Sequence, residues 1–81
     1  MFFVYILKSE SSGKFYYGSS ENPDLRLINE HNKGKVRATK SGLPWILIYQ
    51  EEFATRGEAY QREHYFKTWA GRRWLKSKDI T

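Results

Sequence analysis

Four widely separated residues in this chain have side chains that suit phosphate chemistry: Tyr5, Tyr16, Arg26 and Glu63. A guanidinium can hold a phosphate through two parallel hydrogen bonds, and a carboxylate can bind a hard cation such as Mg²⁺. A phenol has a pKa of about 10, so it acts as a base at neutral pH only beside a cation or through a water relay. The four side chains therefore suit one another chemically if the fold brings them together.

Two short strands are predicted to carry the tyrosines. Tyr5 and Tyr16 lie in apolar runs on either side of Ser9-Glu10-Ser11-Ser12-Gly13-Lys14, a polar stretch with a glycine that is typical of a hairpin. Strand pairing would put the two tyrosines side by side. The apolar N-terminal run is far shorter than the roughly 20 residues that span a bilayer, and it has no positive residues before it. It is predicted to be an interior strand.

Helix signals surround the other two residues. Asn22 can cap a helix with Pro23 in its first turn, and this helix, predicted to end near Asn32, carries Arg26. The sequence Thr55-Arg56-Gly57-Glu58 has the pattern of a capping box, so a second helix is predicted to begin there and to carry Glu63.

The remaining elements complete an α+β fold. The second helix is expected to run to about Ala70 and to end at Gly71, and residues 72–76 can form a last short helix. The basic segment Lys33 to Gly42 is predicted to be an exposed loop, followed by a third strand from Trp45 to Glu51. We expect one domain over residues 1–81, with a small three-stranded, mainly antiparallel sheet flanked by helices.

Glu63 is the most informative of the four residues by helical geometry. It shares a helix face with Ala59, Phe66 and Ala70, so its carboxylate is predicted to point toward the sheet. A charged group in that position needs a partner. The partner is either a metal ion or a cation of the chain, Arg26 or Lys67.

Ordinary structural roles are open for the other three residues as well. Tyrosine is common in strands, where the ring is half-buried and the hydroxyl reaches the surface. Arg26 can pair with Glu30 one turn further along an exposed helix face. The residue types alone therefore do not decide between an active site and a set of structural contacts.

Charge and composition narrow the class of partner. The chain has 81 residues, a net charge of +5 and no cysteine, which fits a reducing cytoplasm. Eight of its fourteen Lys and Arg residues fall in two acid-free segments, Lys33 to Lys40 and Arg72 to Lys78. Such clusters favour a polyanionic partner, although each alone also suits a solvated surface. Among the tryptophans, Trp69 is predicted to lie in the core and Trp74 is left open.

The order and spacing of these residues resemble the GIY-YIG nuclease family. Phe3-Val4-Tyr5 and Tyr16-Tyr17-Gly18 correspond to its two name-giving strands, with Phe3 in place of a glycine and Val4 and Tyr17 in place of isoleucines. Arg26, the strand after Pro44-Trp45, and Glu58-Ala59 ahead of Glu63 follow in the order of the family. The resemblance runs from Phe3 to about Trp74, and within the family the chain is similar to the N-terminal nuclease domain of an excision-repair endonuclease.

The resemblance implies a stand-alone bacterial endonuclease that hydrolyses DNA, branched and flap structures included, with Mg²⁺ or Mn²⁺. Tyr5 would help to deprotonate the attacking water, Tyr16 would share its hydrogen-bond network, and Arg26 would clamp the phosphate. Glu63 would bind the metal. The nucleic-acid contacts predicted from the basic clusters are Lys33, Lys35, Arg37, Lys40, Arg72 and Arg73.

Two further positions are weaker catalytic candidates. Relatives carry His or Tyr four residues after the Arg, whereas here Glu30 holds that place and His31 follows one residue later. One extra residue rotates a side chain by about 100° on a regular helix, so His31 receives little weight. Lys67 matches a frequent lysine of the family and can pair with Glu63 or with a phosphate. His64 is expected to lie on the surface.

Two other functions remain open from the sequence. The chain can be a nucleic-acid-binding module that kept the fold without cleaving, or a structural domain in which the tyrosines and Glu63 form an interior network. Metal-dependent nicking of DNA separates the nuclease from both alternatives. Salt-sensitive DNA binding separates the two alternatives from each other.

Overall fold

The computed structural model of the protein describes residues 1–23, 31–34 and 37–81. Within these ranges one antiparallel sheet contains three strands, β1 (Phe2–Ser9), β2 (Phe15–Ser20) and β3 (Trp45–Phe53). Strand β1 lies in the centre, with β2 and β3 at the two edges. The predicted α+β class with a three-stranded antiparallel sheet is confirmed, and the third strand is two residues longer than predicted.

The alternation of β1 divides the interior into two clusters. Val4 and Ile6 point to one face, where they pack with Phe66 and Leu75 from the helices. Tyr5 and Leu7 point to the other face and pack with Trp45 of β3. Successive strand residues point to opposite faces, so one central strand supplies both clusters. We call the first the helix-covered face and the second the tyrosine face.

Two helices follow β3, α1 (Arg56–Phe66) and α2 (Trp69–Ser77). The predicted capping box is present, since Thr55 Oγ1 accepts from the Glu58 amide at 3.2 Å and the Glu58 carboxylate accepts from the Thr55 amide at 3.2 Å. The prediction of one helix continuing to Ala70 is wrong. Thr68 caps a new helix by accepting from the Gly71 amide at 3.1 Å, so the chain turns after Phe66. No helix in the described residues is long and apolar enough to cross a bilayer.

Gly71 does not end a helix, as the sequence pattern suggested, but lies buried inside α2. A Cβ atom there would come within 1.9 Å of the Tyr65 carbonyl oxygen. The missing side chain lets the backbone of α2 approach the end of α1. This close approach explains why residue 71 is a glycine, because any side chain there would collide with the end of α1.

The two tryptophans near the C-terminal helix have opposite environments. Trp69 is 77% exposed, which contradicts the prediction that it belongs to the core. Trp74 is half-buried and stacks on Phe66, with ring centroids 6.1 Å apart. The difference follows from the new helix start, because a helix beginning at Trp69 turns that residue outward while Trp74 faces α1.

The segment before β3 is more ordered than the predicted loop. Arg37–Gly42 forms a 3₁₀ helix in which Thr39 and Gly42 are buried. A Cβ atom on Gly42 would lie 2.3 Å from the Trp45 ring, and the carbonyl of Gly42 accepts from Ser9 Oγ at 2.6 Å. The predicted helix around Arg26, and Lys35, lie outside the described residues.

Candidate functional site

Strand pairing brings the two predicted tyrosines together. Tyr5 is opposite Gly18 and Leu7 is opposite Tyr16, so both tyrosines lie on the tyrosine face, with ring centroids 6.4 Å apart. A Cβ atom on Gly18 would lie 2.6 Å from the Tyr5 hydroxyl and 3.1 Å from the Tyr16 ring. Gly18 is therefore required sterically, because a side chain there would occupy the space of the Tyr5 phenol.

His31 is the closest polar partner described for Tyr5. The Tyr5 hydroxyl lies 3.0 Å from His31 Nε2, and the Tyr16 and His31 rings have centroids 5.0 Å apart. Tyr5 is 1% exposed and His31 is fully buried. The backbone at His31 is π-helical. The shifted spacing after Arg26 gave this histidine little weight in the sequence, yet it lies beside both tyrosines.

Thr39 continues the hydrogen-bonded chain on the other side of the histidine ring. His31 Nδ1 lies 2.8 Å from Thr39 Oγ1, and the carbonyl of Thr39 accepts from Trp45 Nε1 at 2.6 Å. A neutral imidazole has one donor and one acceptor nitrogen. In the tautomer with its proton on Nδ1, the ring donates to Thr39 and accepts from the Tyr5 hydroxyl. In the other tautomer, Nε2–H donates to Tyr5 and the Thr39 hydroxyl donates to Nδ1. Tyr5, Tyr16, His31 and Thr39 are called the tyrosine–histidine site below.

Asn32 fixes the chain directly after His31. Its side-chain amide donates to the Trp45 carbonyl at 3.0 Å, and its side-chain oxygen accepts from the Trp45 amide at 2.7 Å. This pair of bonds ties the end of the predicted helix to the start of β3. Sequence reasoning missed the contacts of both Asn32 and Thr39, because the sequence indicates Asn32 only as the end of a helix and Thr39 is a common polar residue in a basic segment without periodicity.

Glu63 lies on α1 and pairs with Lys67. The Lys67 ammonium donates to the Glu63 carboxylate at 2.8 Å, and the Glu63 side chain is 13% exposed. This ion pair is one of the structural alternatives left open by the sequence. The described residues contain no group of three or more His, Cys, Asp or Glu that could hold a metal ion. A metal at Glu63 would fit only the mode in which one carboxylate, waters and phosphate oxygens complete the coordination.

A cleft lies between the end of the edge strand β2 and the start of α1. Its volume is about 370 Å³, and its lining consists of Phe2, Ser19, Ser20, Glu21, Arg56 and Ala59. Ser19 and Ser20 are consecutive strand residues and so point to opposite faces. Ala59 lies one helical turn before Glu63. Neither Glu63 nor a residue of the tyrosine–histidine site lines this cleft.

The predicted nucleic-acid contacts that can be placed lie on the surface. Lys33, Arg37 and Lys40 are exposed near the 3₁₀ helix, and Arg72 and Arg73 are exposed on α2. Lys35 lies outside the described residues, as does Arg26. His64 is exposed, as expected, and its ring lies 4.3 Å from that of Tyr60.

A second polar cluster, not anticipated from the sequence, lies on the helix-covered face. Arg62 Nε donates to Glu51 at 2.8 Å, the Tyr49 hydroxyl donates to the same carboxylate, and the guanidinium stacks 4.6 Å from the centroid of Trp74. Burial raises the pKa of Tyr49 to about 12, aided by the hydrogen bond to Glu51 and its charge and opposed by Arg62. Both charges are paired within the protein, which is typical of a structural contact.

Comparison with known proteins agrees with this geometry. Residues 1–77 match the model of the GIY-YIG catalytic domain. A UPF0213 protein of Staphylococcus epidermidis is 40% identical over 75 residues, covering 91% of this chain and 89% of the relative. A UPF0213 protein of Bacillus pumilus is 39% identical over 79 residues, covering 96% of this chain and 74% of the relative. No solved structure gives a significant match. Since the match spans the paired tyrosine strands and the helix of Glu63, the chain belongs to the GIY-YIG family, a nuclease-type family.

Proposed function

We propose that this chain is a stand-alone, single-domain endonuclease that hydrolyses DNA phosphodiester bonds with the aid of a divalent metal ion. The observation that carries the proposal is the 3.0 Å contact between the Tyr5 hydroxyl and His31 Nε2, with the Tyr16 ring beside both. A phenol alone is a poor base at neutral pH. A phenol that can pass its proton to an imidazole is a much better one.

Each residue of the tyrosine–histidine site then has a distinct task. Tyr5 accepts a proton from the attacking water as its own hydroxyl proton moves to His31 Nε2. Thr39 holds the histidine ring by accepting from Nδ1–H, which also favours the imidazolium that forms. Tyr16, which is half-buried, is placed to hydrogen-bond the water or a phosphate oxygen. Arg26 is assigned to the phosphate by the family resemblance.

Glu63 is the residue of the chain proposed to hold the metal. Bound Mg²⁺ or Mn²⁺ would stabilise negative charge on the phosphate and on the leaving oxygen. In the structure the carboxylate is held by Lys67 at 2.8 Å. When the carboxylate binds a cation, Lys67, whose side chain is 47% exposed, is free to reach a phosphate oxygen.

The basic residues supply the general attraction to the polyanion. The exposed cations Lys33, Arg37 and Lys40 follow directly after the histidine of the site. Their contacts with phosphates would contribute affinity that falls as salt rises and depends little on base sequence.

A second candidate function is supported by the burial of the same residues. Tyr5 is 1% exposed and His31 is 0% exposed, and every buried side-chain nitrogen or oxygen among the described residues has a hydrogen-bond partner. A closed and satisfied network of this kind also suits a nucleic-acid-binding module that retains the fold without cleaving. Cleavage itself decides between the two.

The experiment is a cleavage screen over duplex, flap, branched and single-stranded DNA and over RNA, with Mg²⁺, with Mn²⁺ and with EDTA. We expect metal-dependent cleavage of DNA by the wild type and its loss in Glu63→Gln, which keeps the shape of the side chain and removes its charge. Glu10→Gln, at an exposed acid in the hairpin turn, is the matched control and should cleave normally. Absence of cleavage with every substrate, or wild-type cleavage by Glu63→Gln, would contradict the proposal.

A further inference from the structure

Helix α2 presents a continuous stripe of one aromatic and three cationic side chains to the solvent. Trp69, Arg72, Arg73 and Lys76 follow the spacing i, i+3, i+4, i+7, which places them on one helix face, and all four are exposed. The opposite side of the helix holds the buried Gly71 and Leu75. The stripe is therefore the side of α2 that the core leaves uncovered.

The stripe combines an exposed aromatic ring with positive charge. Trp69 is 77% exposed, so the face of its indole ring is open to a flat partner. The guanidinium of Arg73 lies 5.9 Å from the centroid of its ring, so the indole is held beside a positive charge. Helix α2 contains no acidic residue. A partner must therefore offer a flat aromatic or apolar group together with negative charge.

A cleft continues the stripe toward the sheet. It has a volume of about 450 Å³ and is lined by Lys14, Phe15, Tyr17, Arg72, Lys76 and Thr81. Three lining side chains are cations and two are half-buried aromatic rings, and none is acidic. Cations alternating with aromatic rings along one groove are the features with which proteins hold phosphates and unpaired bases together.

We propose that the stripe and this cleft bind single-stranded nucleic acid, with one base stacked on Trp69 and neighbouring phosphates held by Arg72 and Lys76. A paired base in a duplex does not offer its face to an indole, so the surface selects an unpaired strand. A second copy of the chain is a poor occupant, because it would bring a like-charged stripe.

Strand β2 links this surface to the tyrosine–histidine site. Tyr16 points to the tyrosine face, whereas its neighbours Phe15 and Tyr17 point to the helix-covered face and line the cleft. A nucleic-acid strand that passes over the edge of the sheet at β2 would contact both this cleft and the tyrosine–histidine site. This step rests on the proposed nuclease function: the substrate class is then DNA with a single-stranded segment beside the bond that is cut. Binding itself does not depend on that function.

The test measures the dissociation constants of oligothymidylate and of a blunt duplex of equal length by fluorescence anisotropy. Trp69→Ala should weaken binding of the single strand by about fivefold or more, the loss expected for one base–aromatic stack. Trp69→Phe should restore most of the affinity. Duplex binding should change by less than about twofold in both variants. Tyr60→Ala, at another exposed aromatic residue on α1, is the matched control and should bind like the wild type.

Salt dependence provides a second and independent readout. Lys76→Gln should reduce the slope of log affinity against log salt for the single strand by about 0.7, the value for one lost phosphate contact. Trp69→Ala should leave that slope unchanged. The proposal is overturned if Trp69→Ala binds the single strand as tightly as the wild type, if Lys76→Gln keeps the full slope, or if polyglutamate binds as tightly as oligothymidylate. Binding as expected without cleavage of any substrate would support this inference while rejecting the nuclease.

Discussion

The two faces of the sheet use the same residue type in opposite ways. On the tyrosine face, Tyr5 hydrogen-bonds an imidazole, His31, which itself reaches Thr39. On the helix-covered face, Tyr49 hydrogen-bonds a carboxylate, Glu51, which is also held by Arg62. Both tyrosines belong to the sheet, but His31 reaches Tyr5 from 26 residues away, whereas Glu51 lies two residues from Tyr49 on the same strand.

The hydrogen-bond partner of each phenol determines whether that phenol can pass on its proton near neutral pH. Burial, and after it the hydrogen bond to Glu51 and the negative charge of that carboxylate, raise the pKa of Tyr49 to about 12. An imidazole can take up a proton near neutral pH, so Tyr5 has an acceptor that Tyr49 lacks. The tyrosine face therefore has the elements of proton transfer, whereas the cluster of the helix-covered face connects α1 to β3. Substitutions on the two faces should accordingly separate activity from stability.

The largest expected effect is on the rate of DNA cleavage. It is tested by comparing substitutions of Tyr5 and Tyr49. Tyr5→Phe and His31→Ala should each reduce the single-turnover rate by at least about 10²-fold, the lower range for losing a positioned proton-transfer group. The double variant should be little slower than either single variant, since residues that act as a unit are not additive. Tyr49→Phe should cleave within about twofold of the wild type. A nearly silent Tyr5→Phe would show that the phenol is structural on both faces.

Gly18 and Gly71 also allow activity to be separated from stability, because alanine adds only one methyl group at each position. Gly18→Ala pushes a Cβ atom against the Tyr5 ring at 2.6 Å, and Gly71→Ala pushes one against the Tyr65 carbonyl oxygen at 1.9 Å. Gly71→Ala should lower the free energy of unfolding by about 1–3 kcal/mol, the cost of overpacking. Gly18→Ala should impair cleavage more than its loss of stability explains, because it displaces the phenol.

Gly57→Ala is the control for both glycine variants. This glycine lies in α1 with nothing within 4 Å of the added Cβ atom, and alanine in a helix is favoured over glycine by about 0.5–1 kcal/mol. It should be neutral or slightly stabilising and fully active. Urea unfolding and single-turnover cleavage of the three variants provide the measurement. A Gly18→Ala protein that cleaves like Gly57→Ala would remove the steric argument for the tyrosine–histidine site.

The smallest expected effect is on the pH dependence of stability. The pKa of Tyr49 is raised in the folded protein, from an ordinary 10.0 to about 12, so its proton stays bound in the folded chain after the unfolded chain has released it. The contribution of Tyr49 to the free energy of unfolding is therefore fully present below pH 10, and it declines as the pH rises toward 12. Melting curves between pH 9 and 12 should show a shallower decline for Tyr49→Phe than for the wild type. Parallel curves would mean that Glu51 does not hold the phenol proton.

The sequence by itself determined the fold class, the strands and the pairing of the tyrosines. These features depend on short-range patterns: the continuous apolar run around Tyr5, the polar turn from Ser9 to Lys14 and the capping box at Thr55. Such patterns act over a few residues, so they can be recognised without knowing what packs against them. Helical periodicity likewise predicts that Glu63 shares a face of its helix with Ala59 and Phe66.

Only the tertiary structure decided which groups meet across the chain. His31 contacts Tyr5 from 26 residues away, and the hydrogen bond from Trp45 to the Thr39 carbonyl depends on how the 3₁₀ segment packs against β3. Gly71 and Trp69 were misplaced because the first helix was predicted to continue to Ala70, whereas it ends at Phe66 and the next helix already begins at Trp69. Burial and long-range hydrogen bonds result from the packing of whole elements, and a local pattern contains no information about the distant partner.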